Sequence, residues 1–227
     1  MTSRAHDRIT PAPEHAGDDR RVARLLSALA EAPDYGSAAN FLLNELSQLA
    51  GGAPAAILRY LPASDSLAFI DAAGVAPGDR REFPDTIEDR DHPLLIAALS
   101  LTPVVREADR VARVGRVGPI HAWTALPLPQ PHYRGAPVLI RDNEVAARLE
   151  QSGARAVPLR ERGFNTAPAG VVLLGVVLDD DRVESFAELT MMAGSILARL
   201  ASFEWWRDQG ERLQRERDRL TLMVDSL

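Results

Sequence analysis

The first regular feature of the chain is a stripe of apolar residues with helical period. Val22, Leu25, Leu26 and Leu29 fall at i, i+3, i+4 and i+7, one face of a helix that starts at Asp18 and is stopped by Pro33. A second helix is predicted from Gly36 or Ser37 to Ala50, with Ala38, Leu42, Leu46 and Leu49 inward and Gly51-Gly52 as its C-terminal stop. The period then changes to two. Residues 55–61 and 66–73 alternate and are joined by a turn at 62–65, which predicts a hairpin. Residues 74–90 are rich in Pro, Gly and charge and read as loop. Residues 92–100 predict a short helix, with Pro93 in its first turn and Asp91 as N-cap. Short strands follow at 103–106 and 122–128, separated by a charged loop or frayed helix at 107–120. A long stretch, 129–169, reads as an insertion between inner strands, holding a strand at 138–140, a helix at 143–151 and a strand at 156–159. Residues 170–178 (GVVLLGVVL) are short, β-branched and apolar throughout, the pattern of a central strand covered on both faces.

The chain ends in a long helix. Asp181 and Glu184 have the spacing of a capping box. Leu189, Ile196 and Phe203 repeat every seven residues, and Leu213, Leu220 and Leu227 do so in a shifted phase. Asp208–Arg212 and Glu211–Arg215 are i,i+4 pairs in the favourable order. Beyond Trp205 the apolar surface narrows to this stripe, so the helix calls for a partner. Of the pair Trp205–Trp206, one ring is expected on the domain and the other on a dimer mate. The organisation expected is therefore a disordered leader (1–17), one domain (18–203) and a connector helix (204–227) running toward an output domain beyond Leu227.

Composition narrows the chemistry. All 26 basic residues among the 227 are Arg, and Cys is absent. A phosphate-binding lysine, a lysine Schiff base, a thiolate nucleophile, a Cys-ligated metal and a disulfide are all excluded. The net charge of −6 is spread along the chain, which argues against nucleic-acid binding. No apolar run approaches the roughly 20 residues of a membrane span and the start has no signal-peptide core, so a cytoplasmic protein is expected.

The order of elements resembles a GAF domain. The resemblance rests on LLSALAEAPDYGSAANFLLNELSQLAGGAPAAILRYL, on ALPL, and on GVVLLGVVLDDDRVESFAELTMMAGSILARLA, and it spans about residues 20–203. It implies an α+β fold with a central antiparallel sheet, helices on one side, a ligand pocket on the other, and a sensing or dimerising role upstream of an output module. RLQRERDRLTLMVDSL resembles the signalling helix that leaves such sensors. A narrower resemblance links DHPLLIAALSLTPVVREAD and IHAWTALPL to the GAF domain of nitric-oxide-sensing σ54 activators. It implies that Asp91, His92, Arg106, Asp109 and His121 line a pocket. It departs at Trp123, which stands where that family has its Cys, so the iron site is not carried over and no metal is expected. Covalent bilin attachment is excluded in the same way.

The remaining candidates have plainer accounts. No G-x-S-x-G elbow occurs and nothing pairs a Ser with a His at recognisable spacing, so no catalytic residue is assigned. Asp91 reads as a cap and His121 as a strand-end residue rather than as metal ligands. Asp179–Asp181 read as a charged turn before a helix N-terminus. Arg110, Arg113 and Arg116 are able to grip an anion but fit a solvated loop face, and Gly115 and Gly118 lack the context of a dinucleotide fingerprint. The expected function is a non-enzymatic sensory domain, first of a sensor histidine kinase, next of a σ54-dependent activator. The ligand-contacting set is Asp91, His92, Arg106, Asp109, His121 and Trp123. The homodimer and signalling stripe is Leu189, Ile196, Phe203, Trp206, Leu213 and Leu220, and the ligand is an unidentified small molecule. A ligand-free dimerisation scaffold is the alternative.

Overall fold

The computed structural model describes residues 15–107, 117–131, 142–159 and 166–225. Two helices open it, α1 (His15–Glu31) and α2 (Tyr35–Leu49). Asp34 caps α2, its carboxylate accepting from the Ser37 N–H at 2.6 Å, and that bond holds the carboxyl below its usual range. Gly51 and Gly52 both take positive φ (75° and 83°) and bond back to Gln48 and Ser47, which stops the helix as expected. The hairpin β1 (Ala55–Leu61) and β2 (Ser66–Ala73) has the limits that the alternation predicts. β3 (Thr86–Ile87) follows, then α3 (Pro93–Ser100), β4 (Val104–Arg106), β5 (Trp123–Pro131), α4 (Asp142–Leu149), β6 (Ala154–Ala156), β7 (Thr166–Leu174) and α5 (Asp180–Asp225).

The strands form one antiparallel sheet in the order β3-β2-β1-β7-β5-β4-β6, giving an α+β fold. β7 lies in its middle, and its alternation explains why 170–174 is apolar throughout; the strand expected over 170–178 instead runs from Thr166 and ends at Leu174. Val172 and Leu174 point into a core shared with α1, α2 and α5, while Val171 and Leu173 point into a second core under α3. β5 divides in the same way, Leu126 and Leu128 to the first core, Trp123 and Ala125 to the second. Each fully buried aliphatic side chain contributes about 1.5–3 kcal/mol, so both faces hold the sheet.

Several sequence expectations are corrected. α1 begins at His15, so the leader ends no later than residue 14, and residues 1–14 lie outside the described residues. The loop at 74–90 contains a 3-10 turn and β3, whose two residues are too few for a periodic signal. β5 and β7 both run into the stretch read as insertion, and the rest of it supplies α4 and the edge strand β6 on β4. The strand expected at 138–140 lies outside the described residues. The cap of α5 is Asp179, two residues before the expected Asp181: its carboxylate accepts from Arg182 N–H at 2.9 Å. The residue three beyond the cap is thus Arg182, so no capping box with Glu184 forms.

α5 has 46 residues and two halves. Its first half lies on the sheet, where Leu189 and Ile196 pack into the first core. They serve the domain itself and leave the dimer stripe. Its second half projects, and Phe203, Trp206, Leu213 and Leu220 are all exposed. By length and apolar composition alone α5 qualifies as a membrane-crossing helix, against the expectation that no such run exists. Half of that apolar stretch is buried within the domain, so packing on the sheet accounts for it.

Candidate functional site

The described polar residues proposed from sequence gather where α3, β4 and β5 meet. Pro93 opens α3 and cannot donate, so the first free N–H is that of Leu94. The His92 imidazole takes it, Nδ1 accepting at 3.2 Å. His92, not Asp91, is therefore the cap. Asp91 points outward toward Arg148 of α4 at 3.8 Å, and its side chain is 75% exposed. That contact is worth little.

Arg106 ends β4 with 1% of its surface exposed. Its Nε donates to the Ser152 carbonyl at 3.4 Å and Nη1 donates to the His121 carbonyl. The guanidinium thus ties the turn after α4 to the approach to β5. Trp123, the first residue of β5, is fully buried in the second core. Asp109, Arg110, Arg113 and Arg116 lie outside the described residues.

His92 is mostly buried in this setting. Burial pushes its imidazole down to about 4, with Asp89 pulling it back up and Arg106 adding to the fall. The fold therefore holds the ring neutral, the form in which Nδ1 accepts the cap bond. The sign of the linkage follows. Between pH 6.5 and about 4 the unfolded chain binds a proton that the folded chain refuses, so stability present above pH 6.5 is lost as pH falls. The loss from this group reaches about 3 kcal/mol. His92→Asn keeps a capping oxygen and removes the titration. Its urea midpoint should fall less between pH 7 and pH 5 than that of the parent, and equal falls would refute the assignment.

His121 is exposed and lines a cleft of about 280 Å³ at the end of the sheet where β1 begins and β2 and β7 finish. Pro54, Gly74, Asp79 and Gly175 share its walls. His92 is absent from the lining, and Arg106 is tied to the cleft's wall through the backbone of His121. Of the sequence-proposed residues that are described, His121 lines this cleft, while Trp123 is buried in the second core. Asp79 and Gly74 were missed. Gly74 has φ of 68°, the sort of turn position where a glycine signals a close approach. Among the described residues no group of three His, Asp or Glu side chains is arranged to hold a metal. The chemistry available is hydrogen bonding to a small polar ligand, from an imidazole and a carboxylate that line the same cleft. One further polar atom, Ser100 Oγ at the end of α3, is buried without a hydrogen-bond partner among the described residues.

A second and larger cleft, about 710 Å³, opens at the other end of the sheet between β1, α2 and the middle of α5. Trp205 and Trp206 stand at its edge with ring centroids 4.7 Å apart, edge to face. They are 52% and 66% exposed, so neither ring is packed away on the domain as the sequence reading expected for one of them.

No family model matches the chain, and no curated protein matches its sequence. Solved structures do match. The GAF domain of an Acinetobacter phosphoenolpyruvate-protein phosphotransferase is 9% identical with a TM-score of 0.56, covering 82% of this chain and 95% of that one. Free methionine-R-sulfoxide reductase from Neisseria meningitidis, solved with its substrate, is 11% identical with a TM-score of 0.55, covering 86% and 96%. Residues 122 to 287 of a methyl-accepting chemotaxis protein are 14% identical with a TM-score of 0.50, covering 79% and 98%. At such identities the likeness concerns the fold.

Proposed function

The chain has the GAF fold, and from that premise we propose that it is the sensory domain of a bacterial signal-transduction protein, cytoplasmic, non-enzymatic in itself, and coupled to a histidine-kinase output. The observation that carries this reading is the single helix α5. It is fixed to the sheet through Leu189, Ala193 and Leu197 and then continues without a break into an exposed segment. Movement of the middle of the sheet is thus delivered to the projecting helix. Trp206, Leu213 and Leu220 stand seven residues apart on that segment, each more than 60% exposed. Such a stripe fits the seam of a two-stranded coiled coil with a second copy. The chemotaxis and phosphotransferase proteins that share the fold support a regulatory setting.

In this reading a small polar ligand binds beside His121. It shifts the balance between two arrangements of the paired helices, and it does so only by its differential affinity for them. The Leu213→Arg/Leu220→Arg double variant tests the pairing. Both side chains are exposed in the single chain, so folding is expected to be unchanged. Sedimentation velocity should show a dimer for the parent and a monomer for the variant; a variant that sediments with the parent would overturn the proposal.

A further inference from the structure

The cleft beside Trp205 and Trp206 has a composition of its own. Arg59 of β1 and Arg199 of α5 both line it. Arg80, Arg90, Arg148 and Arg155 elsewhere are each paired with an aspartate. Arg59 and Arg199 have no carboxylate partner among the described residues. Arg59 instead lies over the ring of Tyr35, 5.5 Å from its centroid. Glu204 beside this contact is engaged, its Oε1 accepting from the Tyr35 N–H at 2.8 Å. Two guanidinium groups therefore face one cleft with anion-binding capacity unspent, while two indoles form an aromatic edge beside them.

We propose that this cleft binds an aromatic carboxylate. The carboxylate takes the guanidinium groups, whose fork geometry matches its two oxygens. The ring takes the face of Trp205, where offset or edge-to-face contact is favourable, next to the indole of Trp206. The volume lies within the range of small-molecule sites, roughly 300–1,000 Å³. This site is at the opposite end of the sheet from His121 and shares no residue with that cleft. Its ligand bridges α5 to β1 and α2 where the helix leaves the sheet. The effect on signalling rests on the reading above; the binding does not, and the Leu213/Leu220 test is independent of it.

The test uses the full chain and its three tryptophans, each of which contributes one indole N–H signal in nitrogen-15 NMR. Naphthalene-2-carboxylate is the probe and naphthalene-2-methanol its neutral control. The carboxylate should move the Trp205 and Trp206 signals saturably and leave Trp123, buried in the second core, in place. The alcohol, and the carboxylate with the Arg59→Gln/Arg199→Gln variant, should each bind about tenfold or more weakly. Arg199→Gln alone, at an exposed position, keeps the test valid if the double variant misfolds, since an unshifted Trp123 signal reports an intact core. No movement of either signal, equal binding of the alcohol, or undiminished binding by a folded arginine variant would each overturn the proposal.

Discussion

Gly194→Ala is expected to destabilise the domain by about 3 kcal/mol or more, although alanine is the better helix former. Gly194 is the point where α5 touches β5. A Cβ there would stand 2.3 Å from the Pro129 carbonyl oxygen and 3.0 Å from the Pro129 nitrogen. Both are backbone atoms and cannot rotate aside, so α5 must lift away. Ala193 and Leu197, both buried beside it, would then separate from the sheet. Gly210→Ala is the control. It lies on the projecting half of the same helix, and nothing stands within 4 Å of the added atom. There the change should stabilise by about 0.5–1 kcal/mol. Urea unfolding followed by helix circular dichroism should move the two midpoints in opposite directions. A Gly194→Ala midpoint at or above that of the parent would mean that α5 does not sit on β5 as described.

The second large effect is expected at Arg106. Removing its side chain leaves the Ser152 and His121 carbonyls without the guanidinium they accept from, and it opens a void in a packed region. Arg106→Ala should cost about 3–5 kcal/mol. Arg106→Met restores most of the volume but neither hydrogen bond, so its midpoint should lie between alanine and the parent. A methionine variant as stable as the parent would assign the role to packing alone. The same substitutions remove the positive field that helps to depress His92. The imidazole should therefore titrate at higher pH in Arg106→Met, and an NMR titration reads this separately from stability.

The elements legible in the sequence were those with a clean period and enough residues to show it. The 55–73 hairpin alternates over two full strands, and residues 170–178 read as a strand covered on both sides, which the structure bears out as far as Leu174. The caps were less legible. Asp179, Asp180 and Asp181 offer three equivalent carboxylates in a row, and only the path of the backbone selects the first. At α3 the aspartate looked like the natural cap, yet a histidine took the role because Pro93 leaves the Leu94 N–H within reach of the imidazole. The burial of Arg106 was hidden because arginine is mostly a surface residue, and its acceptors come from carbonyls distant in sequence. In α5 the seven-residue spacing of Leu189 and Ile196 matched a coiled-coil seam. Over two turns, periods of 3.5 and 3.6 cannot be told apart, and the sheet was the real partner. The large cleft escaped notice because Arg59 and Arg199 meet only when α5 folds back along the sheet.

What survives of the sequence stripe is its outer part, with Trp206 in phase with Leu213 and Leu220. The claim that a signal leaves through this helix requires two copies of it to lie side by side. The chain has no cysteine, so Glu216→Cys on the exposed segment provides one unique site for a spin label. Pulsed electron paramagnetic resonance on the labelled protein should give a single narrow inter-label distance, the signature of parallel α5 helices paired in register. A broad distribution, or no dipolar coupling between labels, would contradict the account.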